Sequence, residues 1–517
     1  LAKDALGSSD EWLRGQFGEN HRQDAGATAG GALTEVARDS RLARSMTSEK
    51  PDSVQGELSQ PHGGGLVRGL ALRAATAIVI SDTIGTGIFL VTSDMARAVG
   101  SVKLVFAAWI VAGIIVFCGA FCYAELGAAF PKAGGSYVYL NEGLGPLWGY
   151  LFGWMSSVLE RPVGIATLAA GFLRFAAFLF PVILTPLFTT HIGSYEFVFT
   201  VAQPLAALVV VAVTAVNYLS VKFGGGIQVF LTVLKTGTIL LIVIGGLFYS
   251  RYSPNDFPTR IVVLPTGFGI IGAILTAMVP AMWAYNGFND LGDLGEEIKE
   301  PGKNIPRAII FGLLSVMTLY LLANVVYFRV LPFTTVAESM HVASDVVQRL
   351  AGSHGAAALT VAMAISALGA LHVVILTGAR IPFAMARDGV FFKFAGRVNP
   401  RFRTPSGSLL FLGGVGAALA LTGTYEELYS LFVFAVWIFF ALNAIAMLRL
   451  RMKQPNLNRP YRALGYPVTA IIFLVAAIAL TVNLWLVRPV RSTLGLLVIA
   501  AGIPLFYRWR KSSNASS

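Results

Sequence analysis

The sequence predicts an all-α integral membrane fold of about twelve transmembrane helices, with the first and sixth unwound near mid-membrane. Three observations predict it. The 517 residues are 55% hydrophobic and 13% charged, with a mean hydropathy of +0.69, a balance far from that of a soluble domain. Runs of roughly 18 to 28 mainly apolar residues recur about twelve times, each long enough to cross a hydrocarbon core of about 30 Å as a helix. Two runs are interrupted at their centres, at Ile84-Gly85-Thr86-Gly87-Ile88-Phe89 and at Trp283-Ala284-Tyr285-Asn286-Gly287-Phe288-Asn289.

Residues 1–67 are polar, rich in Gly, Ala, Ser and mixed charges, without a sustained apolar period; a disordered cytoplasmic tail is expected there. No basic-then-apolar signal peptide precedes it, and because the chain opens on Leu1 rather than Met it is expected to be a fragment or to carry non-native upstream sequence. One membrane domain then occupies 68–510, with a short cytoplasmic tail at 511–517. Its spans are expected near 70–98, 102–129, 146–178, 202–221, 226–250, 266–293, 306–330, 355–386, 405–423, 427–449, 464–487 and 492–508.

A glycine-interrupted membrane helix frees backbone N–H and C=O groups, which are tolerated only when buried in protein or facing a cavity. Two such breaks, five helices apart, are the pattern of a 5+5 inverted-repeat transporter that holds its substrate between discontinuous helices. The competing reading is that the glycines merely allow close helix packing.

The formal charge of +12 does not indicate a nucleic-acid partner, because basic residues collect in alternate loops. One side holds Lys299, Lys303, Arg307, Arg387, Lys393, Arg397, Arg401 and Arg403, and the region of Arg449–Arg462 adds more; the other side is poorer. The positive-inside bias places both termini in the cytoplasm of a multi-pass protein of the plasma (inner) membrane. The two cysteines, Cys118 and Cys122, share one helix face and are expected to pack as small buried groups.

The run Tyr123-Ala124-Glu125-Leu126-Gly127 followed by Pro131-Lys132-Ala133-Gly134-Gly135-Ser136-Tyr137-Val138-Tyr139 closely resembles a signature of the amino acid, polyamine and organocation transporter superfamily, and above all of L-type amino acid transporters and their bacterial relatives. Supporting stretches are Ile84–Phe89, Arg161-Pro162, Trp283–Asn289, Glu296-Glu297 through Arg307, Ala379-Arg380 through Gly389, and Asn458–Arg462. The resemblance runs from about residue 68 to the end in consistent order. It implies a leucine-transporter-type fold and alternating access to a central amino acid site.

An amino acid zwitterion presents a carboxylate beside an ammonium, and an unwound helix can meet both. Free N–H groups at a half-helix start favour the carboxylate, so Gly85, Thr86 and Gly87 form the expected cradle. Carbonyls around Thr83 and Ile84, and those near Trp283, Ala284 and Asn286, suit the ammonium. By resemblance these positions hold the substrate backbone, Trp283 closes over the substrate as a gate, and Asn286 stands where several relatives have glycine. Asn289 either binds substrate or caps backbone groups.

Lys235 lies near the middle of the fifth span, where an ionisable group is expensive and usually functional. In sodium-coupled members of the fold a sodium ion joins the first and eighth helices. The lysine matching Lys235 in L-type and some proton-coupled relatives resembles a built-in replacement, so sodium-independent coupling is expected. Asp82, just before the first break, carries a proton, pairs with Lys235, or forms a plain salt bridge; the sequence leaves these open. Glu160 and Arg161 read as a structural ion pair, and His372 as a packing residue. Glu125, Glu296, Glu297, Lys303, Arg307, Arg380, Arg387 and Asp388 form either an inner gate, with Glu296 and Arg380 at its centre, or solvated helix ends.

The expected activity is proton symport or exchange of neutral L-amino acids. A non-transporting amino acid sensor, or a transporter of cationic amino acids or amines, is the alternative; an anionic or dicationic substrate is disfavoured because no matching charge beyond Asp82 is evident. No metal-spaced His and carboxylate cluster or nucleophile elbow occurs, so no enzyme chemistry, metal or cofactor is expected. Animal L-type members bind a heavy chain through a cysteine between the third and fourth helices. The corresponding stretch, about 179–201, has none, and no disulfide-linked heavy chain is expected.

Overall fold

The computed structural model describes residues 68–192, 195–219, 225–249, 269–402 and 404–514. The tail expected at 1–67 lies outside them. Among the described residues ten helices are long and apolar enough to cross a membrane, and two apolar helices, Gly269–Ala284 and Ser406–Ala420, are shorter. The chain is a multi-pass α-helical membrane protein.

The first span is three helical pieces: α1 (Leu72–Thr83), α2 (Gly87–Leu90) and α3 (Thr92–Val99). Helix α1 stops because Ile84 turns to ψ 91° while its N–H still reaches the Ile80 carbonyl. A continuous second span, α4 (Val102–Ala129), leads to α5 (Gly135–Leu144), whose start is set by the left-handed glycines Gly134 and Gly135. The third span joins α6 (Pro146–Met155) to α7 (Arg161–Leu179) through a π-helical turn at Ser156–Glu160. Pro162 explains that turn, since its missing N–H cannot bond the carbonyl four residues back and a π-bulge absorbs the defect.

The stretch after α7 contains an antiparallel hairpin, β1 (Pro186–Ile192) and β2 (Tyr195–Thr200), with Phe188 stacked on Phe199 at 4.9 Å. Its aromatic and β-branched residues suit a strand, so the stretch of about 179–201 between the third and fourth spans carries regular structure of its own. The fourth and fifth spans are α8 (Ala202–Leu219) and α9 (Gly225–Leu247).

The sixth span, α10 (Gly269–Ala284), ends at the second break. Turns cover Tyr285–Asn289, and short 3-10 turns cover Asp290–Asp293 and Gly295–Glu297. Two isolated bridges fix that descending segment: Leu70 pairs with Ile298, and Ala133 with Leu294. The end of the sixth span therefore lies beside the start of α1 and the glycine-rich turn before α5.

The remaining helices are α11 (Pro301–Val330), α12 (Phe333–Glu338), α13 (Val342–Gly378, kinked at Gly352), α14 (Arg380–Arg387), α15 (Ser406–Ala420), α16 (Tyr425–Lys453), α17 (Val468–Val487), α18 (Pro489–Ala500) and α19 (Gly502–Asn514). Small residues bring helices close, as expected where lipid supplies no hydrophobic drive. Gly312 of α11 sits on Val79 of α1, and Gly119 of α4 on Phe473 of α17. Helix α19 runs through Asn514, so helix continues into the segment read as a tail at 511–517.

Candidate functional site

The two breaks touch. A Cβ on Gly87 would come within 2.7 Å of the Ala284 Cβ, and one on Gly287 within 2.7 Å of the Asp82 carbonyl. Gly287 also has φ 109°, a conformation that favours glycine. Each break thus places a glycine against the backbone of the other.

Side chains replace the hydrogen bonds that unwinding removes. In a continuous helix the Ser81 carbonyl would accept from the Gly85 N–H, and the Thr83 carbonyl from the Gly87 N–H. Here the Lys235 ammonium donates to the Ser81 carbonyl at 2.7 Å. The buried Tyr320 hydroxyl lies 3.0 Å from the Thr83 carbonyl and 3.1 Å from that of Ala284, so one proton serves the ends of both half-helices. Two turns along α11, Tyr327 donates to the Ile88 carbonyl at 3.2 Å, and between them Asn324 accepts from the Thr92 hydroxyl at 2.9 Å. Neither Gly85 nor Thr86 donates a backbone hydrogen bond. Among the described residues their N–H groups are free donors at this crossing.

Lys235 is only 6% exposed. It borders a cavity of about 10 Å³ together with Gly85, Thr86, Phe89, Ser366 and Ala370, space for about one water molecule. Lys235 therefore stands between the first and eighth spans. No ion pair within 4.0 Å joins it to Asp82 among the described residues. The pairing considered for Asp82 and Lys235 is absent because the ammonium turns to the backbone, although its charge still reaches Asp82.

Trp283 sits at the edge of the crossing. Its Nε1 donates to the Tyr425 hydroxyl at 2.9 Å, and that hydroxyl also lies 3.0 Å from Thr86 Oγ1. Its ring meets Phe432 edge-on at 4.8 Å. Beyond it, Asp94 of α3 accepts from Tyr429 at 2.9 Å, lies 3.7 Å from the Arg174 guanidinium, and pairs with Arg97. Arg174 also covers the Tyr425 ring at 5.5 Å. This arrangement closes the side opposite the start of α1.

The sequence reading missed Asp94, Arg174, Tyr320, Tyr425 and Tyr429. Asp94 and Arg174 carried a usable signal, since charged groups inside apolar spans are rarely idle. The tyrosines carried none.

The other expected residues separate. Asn286 is half-buried, with its N–H on the Trp283 carbonyl. Asn289 donates to Asp290 at 2.8 Å, and its Oδ1 has no partner. Glu296 and Arg380 form no ion pair among the described residues, and Arg380, exposed, acts on Glu297 instead. Glu125 is taken up elsewhere: Arg451 grips it at 2.7 and 2.5 Å, Arg459 lies at 3.3 Å, and the Ala463 N–H donates at 2.7 Å. Arg459 also donates to the Leu450 and Gln454 carbonyls, so the Asn458–Arg462 stretch caps α16. Glu160 and Arg161 form no ion pair within 4.0 Å among the described residues, contrary to expectation, although Glu160 is the charge that acts most strongly on Arg161. His372 takes part through its carbonyl, which accepts from Asn217 at 3.3 Å. Cys118 and Cys122 are buried in α4.

A model of the amino acid permease family matches residues 70–506. The chain is 30% identical over 418 residues to the b(0,+)-type amino acid transporter 1 of Oryctolagus cuniculus, covering 80% of this chain and 82% of that one. It is 30% identical over 464 residues to the large neutral amino acids transporter small subunit 2 of Mus musculus, covering 88% and 83%. The Asc-type amino acid transporter 1 of Mus musculus is 28% identical over 447 residues, covering 86% and 81%.

Proposed function

The chain belongs to the amino acid permease family, and on that premise we propose that it is a sodium-independent secondary transporter of neutral L-amino acids, a proton symporter or exchanger working by alternating access. The observation that carries this reading is the crossing of the two breaks at Gly87 on Ala284 and Gly287 on Asp82. Free N–H groups at Gly85 and Thr86 suit a carboxylate. The ends of both half-helices meet there, so a bound zwitterion bridges the elements that must move apart. Lys235 supports sodium independence, because its ammonium already supplies a positive charge between the first and eighth spans.

Trp283, hydrogen-bonded to Tyr425, is the gate on one side. The Asp94 group is the second barrier on that side, and Glu296 and Arg380 belong to the inner face. Both termini are assigned to the cytoplasm and the protein to the plasma (inner) membrane, from the distribution of basic loops. A disulfide-linked partner is not part of the proposal, since Cys118 and Cys122 are buried.

Uptake of radiolabelled amino acids into proteoliposomes, with sodium, pH and internal amino acid varied separately, tests this. Flux independent of sodium is expected. Strict sodium dependence would remove the role given to Lys235, and binding without flux would mark a sensor.

A further inference from the structure

Four carboxylates gather on the side of the crossing where α1 begins: Asp82 from the first span, Glu160 from the third, and Asp290 and Asp293 from the sixth. The Asp290–Asp293 turn follows the second break, whose Gly287 would bring a Cβ within 2.7 Å of the Asp82 carbonyl, and Arg161 acts on all four carboxylates, Glu160 most strongly. Lys235 is the second cation, and its ammonium is turned toward the Ser81 carbonyl. None of the four is in an ion pair within 4.0 Å among the described residues. Glu160 is 7% exposed and its Oε2 has no hydrogen-bond partner. The sequence reading counted only Asp82 as negative charge near the pocket, and folding adds three more.

Beyond the Asn289 amide, which donates to Asp290 at 2.8 Å, the surrounding elements offer little further compensation. Tyr139 of α5 feels Asp293 and Tyr123 of α4 feels Glu160. Gly378 of α13 packs on the Arg161 stem, while Arg380 just beyond it acts on Glu297. Tyr320 of α11 is committed to the two carbonyls. Uncompensated charge away from water is costly, and a multivalent cation needs oxygens that converge on it. Among the described residues no three His, Cys, Asp or Glu side chains are placed to hold a metal ion. Dispersed carboxylates can be neutralised one at a time by protons, and the protein does not seal them off completely, since Asp82 is exposed and Asp290 and Asp293 are half-buried.

We propose that Asp82, Glu160, Asp290 and Asp293 form a single proton-loading site that couples amino acid movement to a proton gradient. The inference rests on the transport reading above and names the groups that would carry its driving ion. A proton adds to a carboxylate oxygen while the site faces the opposite side and leaves to water on the side where α1 begins.

The test uses the full chain in proteoliposomes holding an internal pH-sensitive dye, with radiolabelled leucine, alanine and lysine as probes. Wild type should acidify the lumen as substrate enters, and accumulation should rise by up to about tenfold per unit of pH difference, the limit for one proton per substrate. Asp290→Asn/Asp293→Asn should keep leucine exchange within about twofold yet lose both lumen acidification and the response to the gradient. Glu160→Gln carries the same expectation, should the double variant fail to elute as one species. A folded variant that retains proton movement overturns the proposal, as does one that loses lysine uptake alone, which would mark a site for a substrate ammonium. Wild type that moves amino acids without protons sinks this inference only, whereas wild type that moves none of them sinks the transport reading with it.

Discussion

Lys235 donates its ammonium to the Ser81 carbonyl at 2.7 Å, in the place where an unbroken helix would offer the N–H of Gly85. A charged side chain from the fifth span therefore completes the last turn of a half-helix in the first. The geometry links a titratable group directly to the backbone beside the free N–H groups.

Lys235→Ala should yield folded protein whose flux is abolished or no longer coupled. Uptake measured with and without a pH gradient, alongside gel filtration in detergent, checks this. Normal, normally coupled uptake would refute the role.

Tyr320→Phe removes the one hydroxyl shared by the Thr83 and Ala284 carbonyls and leaves two buried acceptors short of a donor. A loss of about 1 to 3 kcal/mol is expected, read as a lower denaturation midpoint in detergent, together with slower uptake. An unchanged midpoint would mean that water replaces the hydroxyl freely.

Gly87→Ala should cut uptake by about tenfold or more, because the new methyl meets Ala284 at 2.7 Å. Ala284→Gly should rescue it in part only, since the Ala284 Cα would remain at 2.8 Å. A double-mutant cycle on uptake rates measures the coupling; strictly additive losses would show that the two breaks act apart.

Asp94→Asn should weaken the barrier opposite the α1 start, since two arginines and Tyr429 converge on that carboxylate. Ser430 lines the neighbouring cavity. A cysteine placed there (Ser430→Cys) should react faster with a membrane-impermeant maleimide in the Asp94→Asn background than alone, with equal rates counting against the barrier.

The spans and both breaks were legible because apolar length and glycine punctuation are properties of contiguous residues. The same holds for Lys235 and Asp82, which stand out as charges in apolar runs. Partnership was less legible. Glu125 looked like a gate residue among nearby charges, yet Arg451 and Arg459 claim it. The stretch around 179–201 gave a cysteine count but not its hairpin, whose pairing depends on register between two short strands.

The sequence by itself determined that this is a multi-pass membrane protein with two interrupted helices, because hydrophobicity and backbone freedom act over a few residues. Tertiary structure alone decided that Tyr320 would bind Thr83 and Ala284, that Lys235 would turn to Ser81 rather than Asp82, and that Asp290 and Asp293 would join Asp82. Those contacts join residues far apart in the chain, and the packing of helices chooses among many partners that local chemistry leaves equally suitable.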